Sequence, residues 1–264
     1  MITHRYSTSF THGIKTLHKR FHKPIYAVYG FVRMADEIVD TFHGFDKKAL
    51  LEKFKSETYK AIEEKISTNP VLHSFQLIVH QYRIEKELID AFLYSMEMDL
   101  EKKNYDEAFY KTYIYGSAEA VGLMCLRIFC EGDDSLYERL KKSARKLGAA
   151  FQKVNFLRDM KSDFTERGRV YFPGVDFNNF NNESKKIIEE DIDQDFRAAY
   201  SGMMQLPKDV QPGVYTAFIY YRKLLKKIQH LPVNKVKQRR IRIPGLEKFI
   251  LLGRTFTKFG LNSF

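Results

Sequence analysis

Asp36 and Asp40 stand four residues apart, and so do Asp159 and Asp163. On a helix, residues three or four apart share a face. Each pair therefore extends into a longer stripe: Tyr29, Arg33, Asp36 and Asp40 in one, Gln152, Asn155, Asp159 and Asp163 in the other. Carboxylates on successive turns lie about 6 Å apart along the axis. They repel by a few tenths of a kcal/mol when nothing is bound between them. The chemistry that suits them is a hard divalent cation, which takes oxygen ligands and keeps several waters. A lone D-x-x-x-D reads as an ordinary solvated face. Two of them, each with Arg or Asn/Gln on the same stripe, form a far more specific pattern. Arg158 lies beside the second stripe, and a charged turn, Glu166-Arg167-Gly168-Arg169, follows it before Tyr171 and Pro173.

Helices must present these stripes, and the apolar periodicity predicts helices throughout, with no strand pattern of any length. Pro24 is placed as the first residue of a helix running from Ile25 to Phe42 and ended by Gly44. Phe45 to Ile66 reads as an outer amphipathic helix. Asn69-Pro70 is a cap-plus-Pro start for a helix toward Tyr82, and Lys86 to Leu100 follows. Asp99, between Met98 and Leu100, reads as core or surface. Tyr105 to Phe129 reads as one helix containing Gly116, Ser117, Ala118, Ala120 and Gly122. Each internal Gly costs about 1 kcal/mol relative to Ala, so either a close helix contact or an elongated ligand must compensate. Asp133 opens the long helix of the second stripe. Asn178 to Asn182 is a loop; Lys185 to Leu206 and Gly213 to Gln229 are two more helices. Lys235 to Arg242, KVKQRRIR, reads as a solvated tail segment. Pro244 to Phe259 is either a membrane-facing amphipathic helix or the last core helix, with the core reading preferred.

The chain has 264 residues and a net charge of +11. That length is ample for a buried core, and no composition break divides it. The basic balance suits anionic partners. Nucleic acid is not among them, because no finger spacing, basic zipper or RNA-binding signature is present. Cys125 and Cys130 fit two buried free thiols rather than a disulfide or zinc site. The N-terminus lacks the apolar core of a signal peptide, and no run approaches the ~20 apolar residues of a membrane span. The expectation is a cytoplasmic protein, soluble or peripheral at the inner membrane face, of unassigned oligomeric state.

The two stripes sit in recognisable contexts. Y-G-F-V-R-M-A-D-E-I-V-D at Tyr29–Asp40, and G-A-A-F-Q-K-V-N-F-L-R-D-M-K-S-D at Gly148–Asp163 with the trailing G-R-V-Y-F-P, resemble the two aspartate motifs of the squalene/phytoene synthases. The resemblance covers nearly the whole chain. It implies an all-α, single-domain isoprenoid-synthase helical bundle around a central apolar cavity, over residues 1–264. It also implies Mg²⁺ (or Mn²⁺) held by Asp36, Asp40, Asp159 and Asp163, with Asn155 as a further ligand or diphosphate partner. The substrate is then a pair of prenyl diphosphates, met by Arg33, Arg158 and Arg169. Ser7 and Ser9 resemble the family's S-x-S-F hydroxyls near the diphosphate; by the residues alone they could equally cap a helix. Tyr29, Gln152, Tyr221 and Arg240 belong to the same substrate-binding set, and Tyr113, in Y-I-Y-G-S-A, resembles a tyrosine implicated in the chemistry.

The reaction so implied couples two geranylgeranyl diphosphates to phytoene through a cyclopropyl diphosphate, as in bacterial phytoene synthases of carotenoid biosynthesis. The alternative substrate is farnesyl diphosphate, giving dehydrosqualene, or squalene if NADPH takes part; NADPH is not expected. Chain-elongating synthases and terpene cyclases fit less well, since the elongating enzymes usually carry adjacent aspartates where this chain has Asp36-Glu37 and Asp159-Met160. A non-catalytic basic helical module that binds membrane or a partner is the remaining reading.

Overall fold

The structure, a computed structural model, describes residues 13–101 and 106–260. Among them every element is helical, apart from an isolated bridge residue at Val170. In order these are a 3-10 turn (Lys19–Phe21), α1 (His22–Asp40), α2 (Lys47–Glu64), α3 (Pro70–Tyr82), α4 (Lys86–Glu101), α5 (Glu107–Ile114), a π-helical segment (Tyr115–Ala120), α6 (Val121–Cys130), α7 (Asp134–Arg167), α8 (Asn182–Met203), α9 (Gln211–Gln229), α10 (Val233–Gln238) and α11 (Gly245–Phe259). Ser7 and Ser9 lie outside the described residues.

The caps follow local chemistry. Asp46, Asn69, Asp106, Asp133 and Asn181 each accept a backbone N–H of the helix they precede, satisfying donors that have no intrahelical partner. Pro24 is the third residue of α1 rather than the first. Its missing N–H still falls in the first turn, where no helical acceptor awaits it.

α1 is fixed by one aromatic contact set. Phe31, fully buried, stacks on Phe75 of α3 at 3.9 Å and touches Phe54 of α2 and Phe92 of α4. Val28, Ala35, Ile38 and Val39 are buried on the same helix. With that face turned inward, Tyr29, Arg33, Asp36 and Asp40 occupy a neighbouring one. α7, 34 residues long, is the longest of these elements and lies against α6, α8, α9, α10 and the π segment.

The predicted single helix over Tyr105–Phe129 is instead α5, a π turn and α6. This stretch, Glu107–Cys130, is long and apolar enough by length and composition to cross a membrane, which the sequence reading did not anticipate. Half of it is buried inside the protein, where its small residues let neighbouring backbones approach. A Cβ on Gly116 would fall 2.2 Å from the Ala91 carbonyl of α4, and one on Gly148 of α7 would fall 2.6 Å from the Ala118 carbonyl. Gly122 in turn faces Ala144. Contact 118–148 followed by 122–144 means the two helices run antiparallel.

Between them lies an apolar cavity of about 260 Å³. Ser117, Val121 and Cys125 form one wall, Ala144, Gly148 and Gln152 another, and Phe129 and Leu140 also line it. Within the small-residue cluster Gly116 serves close packing, while Ser117, Ala118 and Gly122 border the cavity. Both cysteines are free thiols, and burial pushes Cys125 up to about 12 and Cys130 up to about 11.

Two further expectations need correction. The basic run Lys235–Arg242 is not a solvated tail: Val236 and Ile241 are buried, and the Ile241 N–H donates to the Arg158 carbonyl at 3.4 Å. The last helix, α11, is not a core helix, because only Leu251 and Thr255 of its 15 residues are buried.

The glycines give a paired prediction. Gly148→Ala places a methyl against a backbone carbonyl and should cost about 1–3 kcal/mol. Gly253→Ala, with nothing within 4 Å of the new Cβ, should stabilise the protein by up to about 1 kcal/mol. Urea unfolding of the two variants checks both signs; a neutral Gly148→Ala would refute the close approach.

Candidate active site

The C-terminus of α7 sets the geometry. Gly168 takes φ +65° and ends the helix, a left-handed conformation that glycine adopts without a Cβ penalty. The chain folds back so that the Arg169 N–H donates to the Asp163 carbonyl at 2.9 Å. Arg167 and Arg169 are thereby aimed at the two acidic pairs. Arg167 Nη1 lies 3.0 Å from Asp163 Oδ1, and its Nε lies 3.3 Å from Asp40 Oδ1. One guanidinium thus joins a carboxylate of each stripe.

Arg169 is buried. It donates to Asp40 Oδ1 at 3.1 Å, to the Tyr171 hydroxyl at 3.3 Å and to the Asp99 carbonyl at 3.0 Å. Burial would lower its pKa, but Asp99, Tyr171 and Asp40 together hold it above the usual arginine value. The structure gives this side chain a bracing position between α1, α4 and the loop after α7. Arg158 forms a two-pronged pair with Asp159, at 3.0 and 2.5 Å, and Arg240 reaches the same carboxylate at 2.9 Å. Arg33 pairs with Glu37.

The amides and tyrosines connect this mouth to the cavity. The Tyr221 hydroxyl donates to Asn155 Oδ1 at 3.2 Å, and Asn155 Nδ2 donates to Gln152 Oε1 at 3.2 Å. Gln152 in turn lines the cavity. Tyr221 stacks on Phe151 at 4.2 Å, and burial raises Tyr29 of α1 above the usual tyrosine value.

Asp99 is a site residue that its sequence position does not single out. Its carboxylate accepts the Tyr113 hydroxyl at 2.7 Å and the Tyr171 hydroxyl at 3.1 Å. Tyr171 stacks on Phe156 of α7 at 4.1 Å. Tyr113 thus sits in this aromatic and carboxylate cluster, one turn before Ser117 on the cavity wall. The available signal was the apolar setting of Asp99, between Met96, Met98 and Leu100. Arg167 was also passed over as part of a charged turn; its aim depends on the Gly168 cap.

The donor set is one of carboxylate and amide oxygens, the type hard divalent cations prefer. Burial and the neighbouring Asp40 raise Asp36 to about 7, and burial and the neighbouring Asp159 raise Asp163 to about 7. Each stripe therefore holds negative charge that a divalent cation would relieve, and these residues fit one. Among the described residues, no three His, Cys, Asp or Glu side chains form a ready-made metal cage. Arginines stand between the carboxylates instead.

Comparison with known proteins bears on what this arrangement serves. The squalene/phytoene synthase family model matches residues 3–247. The phytoene synthase of Arthrospira platensis is 26% identical over 288 residues, spanning 95% of this chain and 89% of its own length. The chloroplastic phytoene synthase of an Oncidium hybrid cultivar is 28% identical over 267 residues; the match spans 90% of this chain and 62% of that relative. The 4,4'-diapophytoene synthase of Staphylococcus haemolyticus (strain JCSC1435) is 26% identical over 193 residues, 70% of this chain and 65% of the relative. A solved dehydrosqualene synthase in complex with a ligand shares the fold, with a TM-score of 0.83 at 22% identity, covering 98% of this chain and 94% of that one. With this all-α isoprenoid-synthase bundle and the match over most of its length, the chain belongs to the squalene/phytoene synthase family, whose members are prenyltransferases that join two prenyl diphosphates head to head.

Proposed function

We propose that this protein condenses two geranylgeranyl diphosphates to phytoene, as a single domain over residues 1–264. The observation that carries the proposal is the Arg167 bridge between Asp40 and Asp163, which gathers both acidic pairs at one mouth above the apolar cavity. In this reading Asp36, Asp40, Asp159 and Asp163, with Asn155, hold Mg²⁺ or Mn²⁺. The bound metal would act as Lewis acid and template for diphosphate departure.

The chain's own side chains divide the remaining work. Arg158 and Arg240, each ending on Asp159, exchange that carboxylate for phosphate oxygens, which the guanidinium fork fits well. Arg33 serves the same diphosphate from α1. Arg169 holds Asp40 and the Asp99 backbone in place. Departure of the first diphosphate leaves an allylic cation. Its C1 bonds to the double bond of the second substrate, and loss of a proton closes the cyclopropyl diphosphate. Departure of the second diphosphate, rearrangement and loss of another proton give the linear hydrocarbon. No reductant enters this sum. The cavity walls exclude water from the cations, and each well-placed ring of Tyr113, Tyr171 or Tyr221 could contribute about 1–2 kcal/mol of cation–π attraction. Asp99 fixes the Tyr113 hydroxyl in position. The same site would serve farnesyl diphosphate, and similarity to the 4,4'-diapophytoene synthase keeps that shorter substrate as the second reading.

Incubation with Mg²⁺ and each diphosphate separately, with the hydrocarbon identified by mass, tests the proposal. Phytoene from the C20 substrate without NADPH is expected. Dehydrosqualene or squalene from the C15 substrate alone would move the substrate, and no hydrocarbon from either would refute the reaction. Asp36→Asn and Asp159→Asn should each lower turnover by about 10²-fold or more, by analogy with the loss of a charge-stabilising group, while circular dichroism is unchanged. Full turnover in both would refute the ligand assignment.

Stability should also depend on pH. Asp36 and Asp163 both have folded-state pKa values of about 7, above the ordinary carboxylate range, so between that range and 7 the folded chain binds more protons than the unfolded one. Their contribution then rises on acidification and is lost as pH climbs through 7. Thermal melts in chelator should show the melting temperature falling across that window, and Mg²⁺ should restore it on the alkaline side. A flat profile with no metal effect would count against the acidic mouth.

A further inference from the structure

Arg167 differs from the other cations of the mouth in what it touches. Among the described residues its ion-pair partners are Asp163 Oδ1, 3.0 Å from Nη1, and Asp40 Oδ1, 3.3 Å from Nε. Both are carboxylates suited to a divalent cation, one from each stripe. Arg158 and Arg240 meet a single carboxylate, Asp159. Arg169 is buried and is also held by the Tyr171 hydroxyl and the Asp99 carbonyl. Lys47, a further cation near Asp40, donates to the Val39 carbonyl at 2.8 Å. Arg167 is therefore the cation whose contacts coincide with the metal-ligating oxygens of both helices.

A divalent cation and this guanidinium compete for the same oxygens, and at such range two cations repel strongly in a partly buried site. Arg167 can give way without disturbing the fold. The Gly168 N–H bonds the Phe164 carbonyl at 3.1 Å and the Arg169 N–H bonds the Asp163 carbonyl at 2.9 Å. The backbone on its far side is thus held, while its side chain is 26% exposed and can swing through rotamers alone. Giving way has a cost when no other anion receives the guanidinium, because a partly buried charge is left without its partners. A diphosphate removes that cost: its oxygens offer the guanidinium fork a new anionic partner. Metal alone must expel Arg167, whereas metal arriving with a diphosphate lets Arg167 change partners.

We propose that Arg167 is the resident counter-cation of the acidic mouth, which yields Asp40 and Asp163 to a divalent cation when a diphosphate takes over its guanidinium, so that metal and diphosphate load together. This rests on the proposed metal-ligating role of those aspartates and adds the device that controls their loading. The coupling is reciprocal, so each ligand tightens the other. Once the diphosphate has departed, Arg167 returns to the carboxylates and favours release of the metal.

The test uses the full chain, pretreated with chelator, and equilibrium dialysis against Mn²⁺ with and without inorganic pyrophosphate; no prenyl chain and no turnover enter it. Wild type should bind Mn²⁺ at least about tenfold more tightly beside pyrophosphate than alone. Arg167→Gln should bind Mn²⁺ alone about tenfold more tightly than wild type, and its gain from pyrophosphate should shrink by a similar factor. Arg167→Lys keeps the charge and loses the fork that spans both carboxylates. Its Mn²⁺ affinity should lie between the two, and it decides the question if circular dichroism shows the glutamine variant unfolded. Arg145→Gln removes the same charge from a half-exposed side chain about 33 Å away along α7, and it should match wild type. Equal Mn²⁺ affinity in wild type and the Arg167 variants would overturn the proposal while leaving the aspartates as ligands. An equal gain in Arg145→Gln would also overturn it, because net charge alone would then set the affinity. No Mn²⁺ binding by any of these proteins, even beside pyrophosphate, would overturn it together with the ligand assignment. Intact coupling with no hydrocarbon formed would support it and count against the proposed reaction alone.

Discussion

Arg167 reaches Asp163 on its own helix and Asp40 on another, and the arrangement of the mouth depends on contacts of this kind. Carboxylates from α1 and α7 are brought into one partly buried space, where like charges repel more strongly than in water. Guanidinium groups supply the compensation: Arg167 and Arg169 around Asp40, Arg158 and Arg240 around Asp159. Buried ion pairs of this type add little net stability, because desolvation opposes the Coulomb gain. Their effect is to hold two helices in register with the charges still available for exchange.

Two apolar devices make that placement rigid. The Phe31 stack fixes α1 against α2, α3 and α4, so the acidic stripe cannot rotate without dismantling the core. On the opposite side, Phe156, Tyr171 and Tyr113 pack ring on ring and bind the loop after α7 to Asp99 of α4. The G-R-V-Y-F-P segment becomes intelligible as a unit: glycine turns the chain, arginine braces Asp40, tyrosine reaches Asp99, and Phe172 is buried. Below this rigid rim the small residues of α6 and α7 leave an apolar space rather than a filled core.

Much of this was legible in the sequence because periodicity reports faces. The steps of three and four that align Asp36 with Asp40, and Gln152 with Asp163, survive folding because a helix fixes them locally. Asp133 and Asn69 announced their helices through cap chemistry. What periodicity cannot report is which face meets which. Asp99 looked ordinary because its partners, Tyr113 and Tyr171, are distant in sequence. That Asp40 and the Asp99 carbonyl surround Arg169 is likewise shown by nothing local in the sequence. The run Lys235–Arg242 looked solvated because its charges mask Val236 and Ile241, which anchor it across α7. α11 looked like a core helix because apolar residues occur on both of its faces, and composition does not show that only Leu251 and Thr255 of it are buried.

The π turn at Tyr115–Ala120 has a consequence for how this fold can vary. A π turn is an α-helix carrying one surplus residue, so the chain before it and the chain after it keep independent phases. Upstream, Tyr113 is phased to the carboxylate of Asp99; downstream, Val121 and Cys125 are phased to the cavity. Losing the surplus residue would turn one set relative to the other by about 100°, so the two jobs could no longer be done by one continuous helix. The bulge works as a phase joint: it lets the cavity wall drift in sequence and lining while the tyrosine next to it keeps its bearing.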